Sequence, residues 1–246
     1  MKLILLRHGE SQWNLENRFT GWTDVSLTKI GVQEAQFAAN QILSNEIKVQ
    51  SVYSSILKRA EQTAHIVAEK INFQFDKIEY DWRLNERHYG ALQGLNKSET
   101  AIKYGEDQVK IWRRSFDIAP PKLSANDERH PKFNPKFKNL DIDLPVGESL
   151  KDVIERIKPF IENFLKKLIK ENENHMIVAH SNSLRAIVKV LENLNDKQII
   201  DVNIPTGVPL VYETNKDLNI LDKKYLIDEN SLKEKENLIL QQGKIQ

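Results

Sequence analysis

The stretch LILLRHG at residues 3–9 decides the fold class of this chain. Its first four residues form a short continuous apolar run, which is typical of a strand buried on both faces of a sheet. Arg7, His8 and Gly9 end the run, so a loop follows the strand. The stretch predicts a buried strand whose carboxyl end carries an arginine and a histidine.

Two further segments repeat this design. The apolar run 176–179 ends at His180 and leads into apolar residues at helical spacing, and the run 51–53 is followed by a helical stripe with Arg59 in its first turn. Three strand-loop-helix units predict an α/β three-layer sandwich, in which helices flank a mostly parallel central sheet. In such folds ligands bind beyond the carboxyl ends of the strands. We therefore expect His8, Arg59 and His180 to lie at one edge.

Length and composition limit the possible functions. The 246 residues predict a single domain spanning 1–246. A net charge of +1 gives no general attraction to nucleic acid or a membrane surface, so an anion site must be a local cluster. The lack of cysteine excludes disulfides, thiolate metal sites and cysteine nucleophiles. Because the apolar run at the amino terminus is too short for a signal peptide or a membrane span, we expect a cytoplasmic protein.

Two segments differ from the predicted α/β frame. Residues 117–147 hold five of the eight prolines and few periodic apolar positions. Long irregular segments in compact domains are often functional covers, so we expect an excursion over the site at about 95–147. The tail from about residue 233 is charged and has no strong apolar face, so we expect it to be mobile.

The first motif has the chemistry of phosphoryl transfer. A neutral imidazole nitrogen is a competent nucleophile near pH 7, and the guanidinium of Arg7 can bind two phosphate oxygens. Gly9 leaves room for backbone close to a ligand. By itself this tripeptide occurs by chance in many proteins and is more typical of an exposed histidine at a strand end than of a catalytic one. His180 favours catalysis, because a second imidazole can stabilise the charge on the transferring group.

A set of basic residues accompanies the two histidines. Each one by itself is typical of a solvated surface, but together they suit a small ligand that carries phosphates and a carboxylate. The set comprises Arg7, Arg59, Arg87, Lys97, Arg113 and Arg114. Glu86 is the one carboxylate beside them, which indicates either acid and base work on a substrate hydroxyl or a simple ion pair with Arg87.

Five segments carry a resemblance to a known family. They are RHGESQWN (7–14), RFTGW (18–22), LNERHYGALQGLNK (84–97), WRR (112–114) and NIPTGVPLVYE (203–213). The chain closely resembles the 2,3-bisphosphoglycerate-dependent phosphoglycerate mutases from residue 1 to about 225. The first motif alone would indicate only the wider histidine phosphatase superfamily, and the block 86–97 narrows the resemblance to the mutases.

The resemblance implies an activity and a set of site residues. It implies interconversion of 3-phosphoglycerate and 2-phosphoglycerate in glycolysis and gluconeogenesis, through a phosphohistidine that 2,3-bisphosphoglycerate primes, without a metal. The catalytic residues it implies are His8 as phosphohistidine, Glu86 as proton donor and acceptor, His180 as stabiliser of the transferring group, Arg7 and Arg59. The substrate-binding residues it implies are Arg7, His8, Gly9, Glu10, Ser11, Gln12, Trp13, Asn14, Thr20, Gly21, Arg59, Glu86, Arg87, His88, Tyr89, Lys97, Arg113, Arg114, Ser181 and Asn182. It also implies a homo-oligomer, with a dimer favoured.

One residue departs from the family pattern. The family usually has glycine after the second histidine, where this chain has Ser181. If that position needs a positive φ, or if its N–H approaches the phosphate closely, serine introduces strain or crowding that would reduce activity; alternatively its hydroxyl donates a further hydrogen bond. The sequence leaves both alternatives open.

Three other functions share most of these residues. A phosphatase of the same superfamily lets water attack the phosphohistidine, whereas a mutase must exclude that water. Lys97, the pair 113–114, the excursion and the tail favour the mutase, and we expect deletion of 241–246 to raise phosphatase activity. A bisphosphoglycerate mutase uses the same residues. An inactive phosphate-binding relative would have no need for an intact His8.

Overall fold

A six-stranded sheet forms the middle layer in a computed structural model, which describes residues 1–137, 140, 142–242 and 244. The strands are β1 (Lys2–Arg7), β2 (Ser51–Ser54), β3 (Ile78–Tyr80), β4 (His175–Ala179), β5 (Pro209–Thr214) and β6 (Ile220–Tyr225). Their order is β3-β2-β4-β1-β5-β6, with the first four parallel to one another and the last two antiparallel to their neighbours. The prediction of a mostly parallel sheet is confirmed.

Helices cover both faces of the sheet. The α-helices in the described part of the chain are α1 (Gln12–Leu15), α2 (Lys29–Ser44), α3 (Lys58–Lys70), α4 (Lys97–Tyr104), α5 (Glu106–Arg114), α6 (Leu150–Glu171), α7 (Ser181–Leu191) and α8 (Glu229–Gln241). Short 3-10 helices lie at Phe75–Lys77, Trp82–Leu84, Gly90–Leu92, Pro131–Phe133 and Gln198–Asp201.

Strand β1 shows why the molecule has three layers. Its side chains alternate between the two faces of the sheet, as in any strand. Leu3 and Leu5 join a core cluster with α6 and α7, whereas Ile4 and Leu6 join a second cluster with α2 and α3. The four apolar residues 3–6 of β1 therefore face two helical layers in turn, and the predicted sandwich is confirmed.

Side-chain caps set the start of two long helices. The hydroxyl of Thr28 accepts the Gly31 N–H at the start of α2. Ser149 and Asp152 form a reciprocal capping box at the start of α6. Each cap satisfies backbone N–H groups that have no partner within the helix.

The carboxyl ends of β1, β2 and β4 meet at one edge of the sheet. In the parallel pairings Arg7 lies opposite Ala179, and Ser54 lies opposite Val178. His8 therefore follows β1 directly beside the point where His180 follows β4. This edge is the base of the candidate active site.

The predicted excursion at about 95–147 is partly helical and partly irregular. Residues 97–114 form α4 and α5, and the described residues of 117–147 contain one regular element, the 3-10 helix Pro131–Phe133. Lys138, Asn139 and Asp141 of the predicted excursion lie outside the described residues.

The tail contains helix α8 (Glu229–Gln241) where the sequence showed no strong apolar face. Gly243, Ile245 and Gln246 lie outside the described residues, and the tail's mobility stays a prediction. Among the described residues, no helix combines the length and the apolar character needed to span a membrane.

Candidate active site

His8 and His180 lie face to edge at the carboxyl ends of neighbouring strands. Their ring centroids are 4.9 Å apart, with the ring planes at 60°. Both are buried, with exposed fractions of 2% and 0%. The structure therefore brings together two imidazoles that are 172 positions apart in the chain, counted as 180 minus 8. A single phosphorus atom can lie within reach of both rings.

The hydrogen bonds of His8 define its tautomer. Its Nδ1 lies 2.7 Å from the carbonyl oxygen of Gly9, which can only accept, so Nδ1 carries the proton. Its Nε2 accepts a hydrogen bond of 3.2 Å from Nε of Arg59. Burial, and then the charges of Arg59 and Arg7, hold the pKa of His8 well below 6.5. The ring is therefore neutral at pH 7, with the lone pair of Nε2 available as a nucleophile.

In His180 the proton lies on Nε2 and not on Nδ1. The hydroxyl of Ser55 donates to Oδ1 of Asn85 at 2.8 Å, so it accepts the proton of His180 Nε2, also at 2.8 Å. The Nδ1 atom of His180 is buried and has no hydrogen-bond partner among the described residues. Burial is the largest cause that lowers the pKa of His180 well below 6.5. An anionic ligand that accepts from Nδ1–H would oppose this effect, because it favours the protonated ring.

Glu86 is held at the cavity wall by backbone groups. Its Oε1 accepts the N–H of Arg87 at 2.8 Å and the N–H of Asn182 at 3.1 Å. Its own carbonyl oxygen accepts from Trp22 Nε1 at 2.6 Å. No hydrogen bond from a described residue reaches Oε2. One carboxylate oxygen is thus fixed and the other is available to a substrate hydroxyl.

The cavity above the histidines is lined by seven basic residues and one carboxylate, that of Glu86. The basic residues are Arg7, Arg18, Arg59, Lys97, Arg113, Arg114 and Arg185. Of these seven residues, only Arg18 forms an ion pair with a described carboxylate, that of Glu16. Burial lowers the pKa of Arg59 and of Arg113 to about 10, so both stay charged at pH 7. Such a cavity suits a ligand with several negative charges.

Most of the predicted site residues line this cavity. They are Arg7, His8, Asn14, Thr20, Gly21, Arg59, Glu86, Tyr89, Lys97, Arg113, Arg114, Ser181 and Asn182. His180 lies directly beneath, against His8. His8, Arg59 and His180 therefore lie in one place with most residues of the mutase-like motifs.

Predicted residues near His8 also lie outside the lining. Gly9 packs on Gly31, whose carbonyl oxygen would be 2.1 Å from a Cβ at Gly9, so helix α2 and not a ligand explains this glycine. Glu10 accepts a hydrogen bond from Thr28, and Ser11 caps α1. Gln12 is exposed and donates to Glu16.

Three further predicted residues lie behind the lining. The indole ring of Trp13 packs on the side of Gly94 where another residue would have its Cβ. Arg87 is fully buried under Tyr89, with its Cζ 4.6 Å from the ring centroid. His88 is buried against Trp22, and its Nδ1 accepts the Gly90 N–H; burial is the largest cause that lowers its pKa to about 3. These contacts hold the cavity wall in position.

Four lining residues were not predicted: Arg18, Arg185, Ile239 and Gln242. Arg185 carried a detectable signal, because it lies within the apolar stripe of α7 where a solvated charge is unexpected. Gln242 follows α8 and carried none. Its Oε1 accepts from Lys97 Nζ at 3.0 Å, and its backbone carbonyl accepts from Arg113.

Ser181 opens helix α7 without strain. Its φ is outside the positive range, unlike six other described residues that are not glycine, such as Asn172 and Leu218. The alternative in which serine strains a glycine conformation is therefore wrong. Its side chain is half-buried and lines the cavity.

The described residues contain one group of His, Asp or Glu close enough to share a metal ion, formed by Glu171, Glu173 and His175. His175 is the first residue of β4, whereas His180 follows its last residue. The group therefore lies at the opposite end of the strand from the histidine cavity.

Comparisons with known proteins agree with this geometry. The model of the histidine phosphatase superfamily (branch 1) matches residues 3–129 and 121–222. A 2,3-bisphosphoglycerate-dependent phosphoglycerate mutase of Treponema denticola is 50% identical over 245 residues, which cover 99% of each chain. A protein of the same description from Borreliella afzelii is 49% identical over 245 residues, again covering 99% of each chain.

Solved structures share the fold at lower identity. A mycobacterial glucosyl-3-phosphoglycerate phosphatase complexed with VO3 has a TM-score of 0.68 at 22% identity, covering 91% of this chain and 96% of its own. The protein YhfR of Bacillus stearothermophilus has a TM-score of 0.65 at 22% identity, covering 87% and 91%. From the family match and the full-length identity to two mutases, we conclude that the chain belongs to the histidine phosphatase superfamily (branch 1) and, within it, to the 2,3-bisphosphoglycerate-dependent phosphoglycerate mutases.

Proposed function

We propose that this protein interconverts 3-phosphoglycerate and 2-phosphoglycerate through a phosphorylated His8. The single observation that carries the proposal is the cavity itself: two buried imidazoles at its base, seven basic residues around it of which Arg18 alone forms an ion pair among the described residues, and one carboxylate with a free oxygen. Phosphoglycerates present a matching set of groups, namely phosphate, carboxylate and hydroxyl. The full-length identity to two mutases supports the same substrates.

The residues of the cavity fit 2,3-bisphosphoglycerate, the primer that the relatives' description names. Its phosphates and carboxylate would be held by the unpaired cations, among them Lys97, Arg113 and Arg114. When bound, it supplies the phosphoryl group that charges His8.

His8 and Glu86 perform complementary steps in the proposed reaction. As Nε2 of His8 forms its bond to phosphorus, the phosphorus–oxygen bond to the substrate breaks and Glu86 gives its proton to the leaving oxygen. In the return step Glu86 removes the proton of a hydroxyl while that oxygen attacks phosphorus and the nitrogen–phosphorus bond breaks. Each step restores the proton that the other one used.

Arg59 and His180 stabilise the transferring group. Arg59 reaches Nε2 of His8 from one side, while its other nitrogens are fixed by the carbonyl oxygens of Thr23 and Gly21 at 3.0 and 2.9 Å. A donor held in this way needs no reorganisation as charge develops on the phosphoryl oxygens. Protonated Nδ1 of His180 would donate from the second side.

Labelled 2,3-bisphosphoglycerate tests the proposal directly. The wild-type protein is expected to acquire acid-labile phosphate and to convert 3-phosphoglycerate in an assay primed with the bisphosphate. His8→Asn should lose both properties, whereas the matched control His65→Asn, on α3 and away from the cavity, should keep them. Labelling of His8→Asn at the wild-type level would refute the assignment.

Oligomeric state and location stay predictions. A homodimer would be detected by light scattering on the eluting chromatographic peak, and a single mass of about one chain would contradict it. The assay with labelled 2,3-bisphosphoglycerate should also compare the phosphoglycerate mutase, bisphosphoglycerate mutase and phosphatase rates, because these alternative activities use the same residues.

A further inference from the structure

We propose that Arg185 is a positioning residue for substrate binding, which fixes the side-chain amide of Asn182 so that its NH2 group faces the ligand. The inference concerns the same cavity and rests on the proposed function for the identity of the ligand. It adds a residue that the sequence did not place in the site.

The burial of Arg185 is the first observation. It lies in α7 with 2% of its surface exposed, and it forms no ion pair with any carboxylate of the described residues. A buried guanidinium without a counter-ion is unfavourable, and an apolar side chain would serve packing better. Packing beneath α7 therefore does not explain why this side chain is an arginine.

The hydrogen bonds of Arg185 show that its guanidinium is anchored. One terminal nitrogen donates to the carbonyl oxygen of Ile199 at 2.7 Å, in the 3-10 helix Gln198–Asp201. The other donates to Oδ1 of Asn182 at 3.1 Å. The first bond fixes the guanidinium. The second bond fixes the side chain of Asn182, which lines the cavity.

The chemistry of the two groups then fixes the amide. A guanidinium can only donate, so the atom of Asn182 that faces Arg185 is the oxygen. The Nδ2 atom then points away from Arg185 and donates one N–H to the hydroxyl oxygen of Tyr89 at 3.4 Å, which leaves its second N–H for the ligand. A flipped amide would present its oxygen to an anionic ligand and repel it. Arg185 thus determines that Asn182 offers a donor.

The backbone of Asn182 makes this orientation important. Its N–H donates to Oε1 of Glu86 at 3.1 Å, so Asn182 holds the proposed acid and base with its backbone while its side chain lines the cavity that would receive the ligand. Burial, and then the charges of Arg114 and Arg87, lower the pKa of Arg185 to about 9. The guanidinium therefore remains charged, and remains only a donor, at pH 7.

A double-mutant cycle tests the proposal. We expect Arg185→Met and Asn182→Ala each to raise KM for 3-phosphoglycerate about tenfold while kcat stays within about threefold, since a charge-assisted hydrogen bond is lost. The double variant should be no worse than either single variant, because the two changes remove one interaction. The proposal would be overturned if KM of the double variant rose by the product of the two single effects. It would also be overturned if kcat of the single variants fell at constant KM.

Lys189→Met is the matched control. Lys189 lies one turn further along α7 and donates to the carbonyl oxygen of Leu194 at 2.5 Å, so the change removes a similar cation and carbonyl contact without touching Asn182. Its KM should equal that of the wild type. A tenfold rise in KM for this variant would show that general disturbance of α7 explains the Arg185 effect.

Asn182→Asp keeps the experiment decisive if Arg185→Met does not fold. Aspartate still accepts from Arg185 but has no N–H to offer the ligand, so KM should rise at least as much as in Asn182→Ala. A KM near the wild-type value would overturn the proposal. Should the wild type show no mutase activity, the proposed function fails separately, and calorimetric titration with 3-phosphoglycerate still measures the same affinity ratios.

Discussion

At the scale of single residues, the state of His8 depends on a carbonyl oxygen and a guanidinium. Gly9 accepts from Nδ1 and Arg59 donates to Nε2, so the fold presents the reactive tautomer before any ligand binds. The same surroundings disfavour the protonated ring. The buried surroundings of His8 at the end of β1 therefore keep the nucleophile in its reactive form.

The lowered pKa of His8 predicts the acid limit of activity. Since the pKa in the folded protein lies below 6.5, the neutral ring predominates through pH 6.5, and protonation removes the nucleophile only at lower pH. The initial rate of His8 phosphorylation should therefore stay level from pH 8 to below 6.5 and then fall. A single inflection at the ordinary histidine value, measured with labelled 2,3-bisphosphoglycerate, would contradict this.

Ser181 gives a second prediction at this scale. Its φ is not positive, so glycine relieves no strain there, but loss of the side chain leaves more room in the cavity, and we therefore expect Ser181→Gly to hold or raise turnover. Flexibility at the first helical position should reduce stability by about 0.5 kcal/mol. Steady-state kinetics and urea unfolding measure both effects, and a large loss of kcat would show that the hydroxyl takes part in binding.

At the scale of elements, helix α8 is joined to the loop that carries His8 through Glu34 of α2. The carboxylate of Glu34 accepts from the N–H of Glu10 at 2.7 Å, the hydroxyl of Thr206 at 2.9 Å and Nζ of Lys235 at 2.7 Å. Gln242, just beyond α8, contacts Lys97 and Arg113 in the cavity. One carboxylate thus links the tail with the catalytic loop.

Weakening this link should change the balance of activities. The Lys235–Glu34 pair is partly exposed, with side-chain exposures of 31% and 14%, so its loss amounts to at most about 1 kcal/mol, or about a fivefold change. We expect Lys235→Met to raise phosphatase relative to mutase activity by up to that factor, and deletion of 241–246 to raise it further. Lys233→Met, an exposed change on the same helix, is the control. An equal ratio in all four proteins, measured in a coupled assay, would contradict a role of the tail in excluding water.

Helix α6 supports the loop that carries Glu86. Arg156 donates to Oε1 of Glu148 at 2.7 Å and to the carbonyl oxygen of Glu86 at 3.2 Å, while Oε2 of Glu148 accepts the N–H of His88 at 2.8 Å. Both charged side chains are buried, with exposures of 7% and 6%. One ion pair therefore holds the backbone on both sides of Arg87.

Removal of Arg156 should reduce stability strongly. Arg156→Met leaves the carboxylate of Glu148 buried and unpaired, which costs about 3–5 kcal/mol. Lys158→Met, on the exposed side of the same helix, should change the free energy of unfolding by less than about 0.5 kcal/mol. Guanidinium chloride unfolding compares the two variants, and a difference below about 1 kcal/mol would show that the pair is not important for stability.

At the scale of the whole molecule, the charge distribution is uneven. The chain has a net charge of +1, yet seven basic residues and one carboxylate line a single cavity. Their mutual repulsion destabilises the folded protein until an anion binds. Function and stability are therefore coupled through the ligand.

This coupling predicts stabilisation by simple anions. Inorganic phosphate at about 100 times its Kd should stabilise the folded state by about 2.7 kcal/mol and raise Tm by roughly 5–10 °C. Sodium chloride at equal ionic strength is the control and should have a much smaller effect. Differential scanning calorimetry measures both, and equal shifts would show that general screening and not a site is responsible.

The amino-acid pattern alone was sufficient to predict the three strand-loop-helix units and the sheet edge at which His8, Arg59 and His180 meet. Short apolar runs and helical periodicity report burial locally, and parallel pairing then brings the strand ends level. The positions of Arg185 in the cavity wall and of Gln242 beside Lys97, 145 positions away in the chain, became visible only in the folded molecule. The folded molecule likewise shows that Gly9 serves contact with Gly31. These facts depend on packing between distant segments, which periodicity along a chain cannot encode.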